Sequence, residues 1–342
     1  MRAPRRTSQR WSWLILGLLA ALVVLAFVVA LSLGIGAKPI PLVDVFDALI
    51  RPDRRDIDHV VVFSLRGART AVGLLAGLAL GLAGTLMQGV TRNPLADPGL
   101  LGVSAGAALG IVLAIGVFGI TGVDGYLWFA FAGAAAGGLV VYAIGSLGRE
   151  GATPVKLALA GAAVGALLGS VVTLLLLRDI NTFAVFQKVW LVGSLSGRNG
   201  EVVAHVWPFI VVGSISALLA GRLLNAMSMG DDVARSLGQR VGLARAWCAF
   251  SVVLLAGAAT AAAGPIAFVG LAVPHLARVV VGPDYRWILA YSAVMAPILL
   301  LSADIVGRVV ARPGEIGVGV MTALVGAPFF IVLVRRRKLP DL

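Results

Sequence analysis

The chain alternates between long apolar runs and short polar segments along most of its length. A helix needs about 20 apolar residues to cross a bilayer, so this pattern predicts about ten membrane helices, the third and eighth of them short. Glycine and proline breaks leave one span fewer or one span more open as alternatives. The predicted helices cover residues 12–34, 64–88, 98–118, 126–147, 155–177, 201–223, 246–263, 266–281, 287–309 and 316–334.

A compact polar segment at 88–106 separates the second and third predicted helices. Its two X-Pro steps, Asn93-Pro94 and Asp97-Pro98, rule out one continuous helix, because proline lacks an amide donor and disfavours a helical residue before it. Asp97 is a suitable N-cap and Pro98 a suitable first helical residue, so the next helix is predicted to begin at Pro98. We interpret this loop as a place for a gate or a partner contact.

Composition places the chain among polytopic membrane proteins. Hydrophobic residues make up 59% of it and charged residues 13%, whereas soluble domains carry roughly 25% charged residues. The 43 glycines favour close helix packing in lipid. The predicted fold class is therefore all-α, with residues 1–342 forming a single transmembrane domain.

The net charge of +12 does not indicate nucleic-acid binding, because most arginines flank apolar runs, as membrane anchors and orientation signals do. Arginines are frequent in 1–11, and Arg335-Arg336-Arg337-Lys338 lies near the other end. The positive-inside rule therefore predicts a cytoplasmic N-terminal segment, 1–11, and a cytoplasmic tail, 335–342, which requires an even number of spans. The first apolar run is too long for a signal-peptide core and is predicted to be an uncleaved span.

The sequence predicts neither a resident cofactor nor an enzyme active site. Cys248 is the only cysteine and the three histidines are far apart, so no disulfide within the chain and no metal site is expected. The phosphate-binding pattern G-x-x-x-x-G-K-[ST] is absent, since no lysine follows a glycine. If transport uses ATP, another subunit must hydrolyse it. No Ser-His-Asp or paired-carboxylate arrangement stands out.

Two outer connections contain amphipathic segments. Pro39 to Ile50 is predicted to form a short helix on the membrane surface. Residues 178–200, the longest outer connection, mix aromatic and apolar side chains with charged ones. A half-helix lining a vestibule and a helix lying on the surface both fit this pattern.

The longest inner connection, 224–245, contains a predicted short soluble helix at 228–238. Acidic residues in its first turn suit the helix dipole, Asp231 and Arg235 are spaced for an i,i+4 ion pair, and Gly238 suits the position after the end. Its apolar residues form one stripe, which either rests on the lipid or the bundle or is presented to a cytoplasmic partner. The stripe consists of Met229, Val233 and Leu237.

Few polar residues lie near the spans. Gln88 is predicted to form an interhelical hydrogen bond, and Asp304 and Arg308 an intrahelical ion pair. Arg66 and Arg69 suit headgroup anchoring, or with Arg308 and Arg312 they form a basic outer rim for an acidic soluble partner. Charged groups deep inside the spans are nearly missing, which counts against an ion-coupled secondary carrier without an ATPase, the alternative function.

A faint internal similarity connects the two halves of the chain. Pro94-Leu95…Pro98-Gly99-Leu100 matches Pro265-Ile266…Gly270-Leu271…Pro274 in part. Many transporters contain inverted repeats with breaks at matching places. The prediction is an inverted repeat in which helices 2–5 correspond to helices 7–10.

A series of motifs, in order along 15–335, resembles the permease subunits of ABC importers for ferric siderophores, haem and vitamin B12. The motifs are Leu65-Arg66-Gly67-Ala68-Arg69, Gly84 through Gln88, Arg92-Asn93-Pro94-Leu95-Ala96-Asp97-Pro98, Leu101 through Gly106, Trp190 through Leu195, Asp232 through Gly238, Gly264 through Leu271 with Pro274-His275, Ala303 through Arg308, and Gly326-Ala327-Pro328-Phe329-Phe330. Two departures are visible: Ala68 replaces the proline that members often carry, and the pair Asp231-Asp232 replaces a commoner single acidic residue.

The resemblance implies the type II importer permease fold with ten membrane helices, in the bacterial cytoplasmic membrane with both termini cytoplasmic. It implies a second permease subunit, two ABC ATPase subunits that use the ATP, and an extracytoplasmic binding protein that delivers substrate. The second permease is a copy of this chain or a related one. A ferric siderophore is the expected substrate, with haem and cobalamin as alternatives.

The same resemblance assigns three groups of site residues. The cytoplasmic segment 224–245 corresponds to the ATPase-coupling segment, with Gly230, Asp231, Asp232, Arg235, Leu237 and Gly238 as its contacts. The cytoplasmic gate corresponds to Asn93, Leu95, Thr153 and Pro154. Binding-protein docking corresponds to Arg66, Arg69 and Arg308. The cavity wall is expected from the fifth helix and 178–195, mostly apolar with Ser170, Thr173, Ser194 and Ser196.

Overall fold

The computed structural model describes residues 7–36, 40–51, 53, 55–147, 153–178 and 193–336, and in these ranges the regular structure is helical. The helices are α1 (Thr7–Gly34), α2 (Leu42–Ile50), α3 (Ile57–Val60), α4 (Ala68–Thr91), α5 (Val103–Gly116), α6 (Val123–Gly145), α7 (Pro154–Arg178), α8 (Gly200–Leu219), α9 (Gly221–Ser228), α10 (Asp231–Ser236), α11 (Val241–Ala263), α12 (Val269–Val281), α13 (Tyr285–Val310) and α14 (Val318–Arg336). A π-helical stretch, Val61–Gly67, joins α3 to α4 without a break.

Among the described residues, 7 helices are long and apolar enough to cross a membrane. They are Trp11–Gly34, Ile57–Thr91, Val123–Gly145, Val155–Leu177, Gly200–Leu219, Val241–Ala263 and Tyr285–Val310. Two shorter apolar helices, Val103–Gly116 and Val269–Val281, fall on the third and eighth predicted spans, and the apolar part of α14, Val318–Pro328, falls on the tenth. At 1.5 Å per residue the 14 residues of α5 extend only about 21 Å, less than the roughly 30 Å of a hydrocarbon core. The count of ten crossings therefore stays a prediction.

Glycines bring the helix backbones into direct contact. A Cβ atom at Gly84 of α4 would overlap the backbone of Gly270 in α12, and one at Gly106 of α5 would overlap the carbonyl oxygen of Gly133 in α6. Such small residues favour association in lipid, where there is no hydrophobic drive to bring helices together. The main core lies around α4 and α11, whose inward faces are almost fully buried.

The loop between α4 and α5 differs from the prediction, because α5 begins at Val103 and not at Pro98. Arg92, with φ 51°, ends α4 in the left-handed conformation. Asp97 caps a tight turn: its Oδ1 accepts a hydrogen bond from the amide of Gly99 at 2.8 Å. Gly102 is also left-handed, with φ 79°, so the helical path from Pro98 is interrupted before α5 starts.

The predicted outer segments have different outcomes. The short helix expected within 39–50 is present as α2. In the long connection at 178–200, residues 179–192 lie outside the described residues. The predicted vestibule half-helix falls in this range. The described part resumes at Gly193, which has φ 70°, and the chain enters α8 at Gly200.

Candidate functional site

Helix α10 lies within 228–238, where a short helix is predicted, but it begins at Asp231 and is bounded by two glycines, of which Gly238 is the predicted one. Gly230 has φ 112° and ψ 150° immediately before it, a conformation that only glycine adopts without strain. Gly238 has φ 82° just beyond its end, and the amide of Gln239 donates to the carbonyl oxygen of Ala234 at 3.0 Å. This is the glycine-terminated helix end that satisfies the last free carbonyls.

The charged residues of α10 pair differently from the prediction. The expected i,i+4 pair of Asp231 and Arg235 is wrong, because Arg235 instead bonds the carboxylate of Asp232 at 3.0 Å. Asp231 turns toward the bundle, where Arg245 donates to its Oδ2 at 2.7 Å and Arg92 lies 3.3 Å from its Oδ1. The helix thus presents one acidic residue outward and holds the other between two arginines.

The apolar stripe of α10 is exposed. Met229 and Leu237 are each 66% exposed and Val233 is 40% exposed. On the opposite face Ala234 is fully buried in a small apolar cluster with Met227 and Val241. The buried face attaches α10 to its neighbours α9 and α11, and the stripe is left available for another molecule.

The predicted gate residues lie in two segments that share an apolar cluster. The side chain of Asn93 accepts a hydrogen bond from the amide of Leu95 at 3.0 Å, and Thr153 accepts one from the amide of Leu157 at 3.0 Å through its carbonyl oxygen. Pro154 is the first residue of α7. Ala96, from the first segment, and Leu157, from the second, are buried in the same cluster. The fold therefore brings the two predicted gate segments together.

Three of the four predicted outer arginines, Arg66, Arg69 and Arg308, are turned into the protein, whereas Arg312 is exposed. Asp304 is fully buried and bonds Arg69 at 2.7 Å and Arg308 at 3.1 Å, so the predicted intrahelical pair is present. Arg69 also bonds Glu315 at 2.8 Å. Burial alone would raise the pKa of Glu315, but the hydrogen bond and charge of Arg69 lower it below its usual value.

Two of these arginines cap the C-terminal end of α1. Arg66 donates to the carbonyl oxygens of Leu33 at 2.8 Å and Gly34 at 2.7 Å, and Arg308 donates to that of Ser32 at 3.0 Å. Cations at this end satisfy free carbonyls and oppose the negative end of the helix dipole. Headgroup anchoring by Arg66 is therefore wrong, since its guanidinium is turned into the protein.

Sequence reasoning missed the partners of these arginines. Glu315 and Ser32 carry no motif that connects them to Arg69 or Arg308, and the fold brings them together across more than 230 positions of the chain. Gln88, by contrast, forms the predicted interhelical bond, donating to the carbonyl oxygen of Leu271 at 3.2 Å.

A second polar contact joins α9 to α13 on the same side as α10. Asp284 accepts hydrogen bonds from Arg286 at 2.8 Å and from Asn225 at 2.7 Å. The bonds from Arg286, helped by Asn225, hold the pKa of Asp284 at about 2, well below its usual value. The contact anchors the segment that leads into α10.

A cavity of about 310 Å³ lies between α5, α7 and the loop before α12. Its walls are mostly apolar, including Val172 and Phe268, and its polar lining comes from Asp97 and Ser104. The predicted wall residues Ser170 and Thr173 are exposed and bond back to their own helix. Ser194 is buried, and its hydroxyl accepts a hydrogen bond from the amide of Ser196 at 3.1 Å.

Within the described ranges, no group of three or more histidine, cysteine, aspartate or glutamate residues is arranged to hold a metal ion. Cys248 is buried in α11.

Comparison with known proteins places this architecture in a family. The model of the FecCD transport family matches residues 22–336. The ferric enterobactin transport system permease protein FepD of Escherichia coli is 45% identical over 316 residues, covering 92% of this chain and 94% of that protein. The cobalamin import system permease protein BtuC of Halobacterium salinarum is 40% identical over 284 residues, covering 82% and 74% of the two chains.

A third relative and a solved structure agree. The siderophore transport system permease protein YfiZ of Bacillus subtilis is 44% identical over 280 residues, covering 82% of this chain and 84% of that protein. A solved structure of a metal-chelate type ABC transporter in an inward-facing conformation superposes with a TM-score of 0.76 and 29% identity, covering 94% of this chain and 99% of that one. The chain belongs to the FecCD transport family.

Proposed function

We propose that this chain is the permease subunit of an ATP-driven importer that moves a ferric siderophore complex across the bacterial cytoplasmic membrane. The observation that carries the proposal is α10, a short helix with an exposed apolar stripe attached to a bundle of apolar helices. An exposed stripe of this kind on a cytoplasmic loop fits a partner groove. The names of several relatives refer to iron chelates and that of one to cobalamin, so an iron chelate is the favoured cargo.

The partners follow from this assignment. Two ABC ATPase subunits bind below the membrane, a second permease subunit completes the pathway, and an extracytoplasmic binding protein delivers the chelate. ATP is used by the ATPase subunits, and this chain binds no cofactor of its own. The contacts proposed for the ATPase are Gly230, Asp231, Asp232, Arg235, Leu237 and Gly238.

Transport is proposed to proceed by alternating access. The inner gate comprises Asn93, Leu95, Thr153 and Pro154, whose two segments already share an apolar cluster. The binding protein docks on the outer surface near Arg66, Arg69 and Arg308. These arginines maintain the shape of that surface, because they hold α1 and the loop at Glu315 in place. ATP binding and hydrolysis move α10, and the helices rock to open one gate as the other closes.

The proposed topology has ten crossings, with both termini in the cytoplasm and an inverted repeat. The helix lengths from α4 to α7 are 24, 14, 23 and 25 residues, and from α11 to α14 they are 23, 13, 26 and 19. In each half a left-handed residue ends the first long helix, Arg92 or Gly264, and another precedes the short helix, Gly102 or Phe268. This matching order of long, short, long and long helices supports the repeat.

The test is to co-purify the chain with the subunits encoded by its genomic neighbours and to measure ATP hydrolysis and chelate uptake in liposomes. Stimulation of hydrolysis by one substrate-loaded binding protein is the expected result, and it also identifies the chelate. Leu237→Ser removes part of the exposed stripe and is expected to lower recovery of the ATPase subunit by roughly tenfold, since an exposed anchor residue contributes about 1–2 kcal/mol to binding.

Ser236→Ala is the matched control, because its hydroxyl bonds only within α10, to the carbonyl oxygen of Val233 at 2.8 Å. The control is expected to recover the ATPase as the unsubstituted chain does. Uptake that needs no ATPase and stops when the proton gradient is removed would refute the importer and favour the secondary carrier.

A further inference from the structure

The two adjacent acidic residues of α10 have different environments. The side chain of Asp232 is 99% exposed, whereas that of Asp231 is 21% exposed and faces the helix bundle. Arg245 and Arg92 both reach the Asp231 carboxylate, at 2.7 Å and 3.3 Å. The backbone conformation of Gly230 is one that other residues adopt only with strain. This conformation sets the direction of the Asp231 side chain.

The two arginines belong to different parts of the molecule. Arg245 lies in α11, which follows α10 in the chain and packs against it. Arg92 ends α4 and immediately precedes Asn93, the first residue of the proposed gate. One carboxylate therefore connects the proposed ATPase contact to the residue at which the chain turns from α4 into the gate loop.

We propose that Asp231 transmits movement of α10 to the cytoplasmic gate by holding the guanidinium of Arg92. When the ATPase displaces α10, the pair displaces the left-handed turn at Arg92, and the segment with Asn93 and Leu95 moves with it. Asp231 is thus a positioning residue that acts through Arg92. This inference rests on the proposed importer function and assigns a distinct role to one of the two acidic residues of α10.

The other attachments of α10 lead elsewhere. Ala234 packs into the cluster formed by α9 and α11, and Gln239 donates to the carbonyl oxygen of Leu223 in α9 at 3.2 Å. Val90 of α4 touches the same cluster, but among the described residues the ion pair that reaches the start of the gate loop from α10 is that of Asp231 and Arg92. Because the pair is partly exposed, its loss affects folding stability little.

The first test measures coupling in the assembled importer in liposomes, with ferric catecholate and ferric hydroxamate siderophores labelled with radioactive iron. Asp231→Asn is expected to lower the amount of chelate imported per ATP hydrolysed by roughly fivefold or more, and Asp231→Glu to restore most of it. Arg92→Gln is expected to have a similar effect, and the double substitution to be no worse than Asp231→Asn alone, because Asp231→Asn already removes the contact with Arg92.

The second test observes the gate directly. Leu95→Cys in a Cys248→Ala background provides one thiol, whose reaction rate with a water-soluble maleimide is measured with and without ATP and vanadate. The nucleotide-dependent change in rate is expected to disappear on adding Asp231→Asn. It is expected to persist on adding Ser236→Ala, a substitution in the same helix at a residue whose hydroxyl bonds to Val233 and does not contact Arg92.

The outcomes separate the two proposals. A nucleotide-dependent change in rate that survives Asp231→Asn, or an unchanged ratio of chelate to ATP, overturns the role of Asp231. A failure of the complex without these substitutions to import any chelate with ATP overturns the proposed function instead.

Discussion

At the scale of single residues, the contact between Gly84 and Gly270 sets how closely α4 and α12 approach. A Cβ on Gly84 meets the backbone of Gly270 and not a side chain that might rotate away. The two helices must separate to accommodate even one methyl group, and Gln88 would then lose its bond to Leu271 one turn further along. The close packing and the interhelical hydrogen bond therefore depend on the same small residue.

Gly84→Ala is expected to destabilise the protein by about 1–3 kcal/mol, the usual cost of adding a methylene group to a tightly packed interior. The midpoint of thermal unfolding in detergent measures the change. Gly165→Ala in α7 is the matched control, because no atom lies within 4 Å of the position that its Cβ would take. An unfolding midpoint for Gly84→Ala equal to that of the unsubstituted protein would show that the helices adjust without cost.

The predictability of residues depended on whether their partners were local. Gly238 and the pair of Asp304 and Arg308 were predicted from spacing alone, since their contacts lie within one helical turn. The burial of Arg69 was not predicted, because its carboxylate partner lies 235 positions away. The pairing of Asp231 was wrong for the same reason: a distant arginine competes with the local one.

At the scale of elements, α1 is a peripheral helix attached mainly near its two ends. Only 6% of its most apolar window is buried. Near its start, Tyr291 of α13 donates to the carbonyl oxygen of Leu14 at 2.7 Å and Trp11 packs edge-on against Trp287. At its other end the guanidiniums of Arg66 and Arg308 bind the last carbonyl oxygens. The attachment of α1 thus combines polar contacts near its ends with the apolar packing of Val28 against Leu301 and Ile305 of α13.

Arg308→Gln is expected to cost about 3–5 kcal/mol of unfolding free energy, since it breaks a buried ion pair and leaves Asp304 with one cation where it had two. Thermal unfolding in detergent is again the measurement. Arg312→Gln is the control: Arg312 is exposed and donates to the carbonyl oxygen of Gly36 at 3.0 Å, so its loss is expected to cost about 1 kcal/mol or less. Equal effects of the two substitutions would contradict a structural role for the buried network.

The start of α5 shows why element boundaries were harder to predict than elements. Asp97 and Pro98 form a good helix-start signal, yet Asp97 caps a turn and the helix begins after the left-handed Gly102. The helix signal and the turn signal use the same residue types. Helix α6 packs closely against this turn, since a Cβ on Gly102 would meet Val141 and the carbonyl oxygen of Gly137.

At the scale of the whole molecule, the hydrophobic pattern predicted where helices lie better than how they cross. All ten predicted segments contain apolar helices, but α5 and α12, with 14 and 13 residues, are too short to be identified as spans by length alone. The ends of α5 and α12 that follow left-handed residues are buried in protein, where irregular backbone is tolerated. Hydropathy cannot register that burial, since it depends on packing against neighbouring helices.

The proposed orientation predicts a cytoplasmic C-terminus. Green fluorescent protein fused after Leu342 is expected to fluoresce, and alkaline phosphatase at the same position to be inactive, since each folds on one side of the membrane only. Alkaline phosphatase fused after Gly119, in the exposed connection between α5 and α6, is the control and is expected to be active. With a cytoplasmic N-terminus, active phosphatase at the C-terminus would require an odd number of crossings.

The buried pairing of Arg69 with Asp304 also has a consequence for biogenesis. During translation Arg69 is incorporated in the first quarter of the chain, and its partner Asp304 is incorporated 235 positions later, near the end. Until α13 is inserted, Arg69 at the start of α4 lacks its carboxylate partner. Burial of an unpaired cation in lipid is unfavourable, so this end of α4 is expected to stay near the membrane surface. Synthesis of α13 then supplies Asp304 and completes the ion pair. A nascent chain that stops before α13 leaves the charge of Arg69 exposed, and this charge distinguishes it from a finished chain.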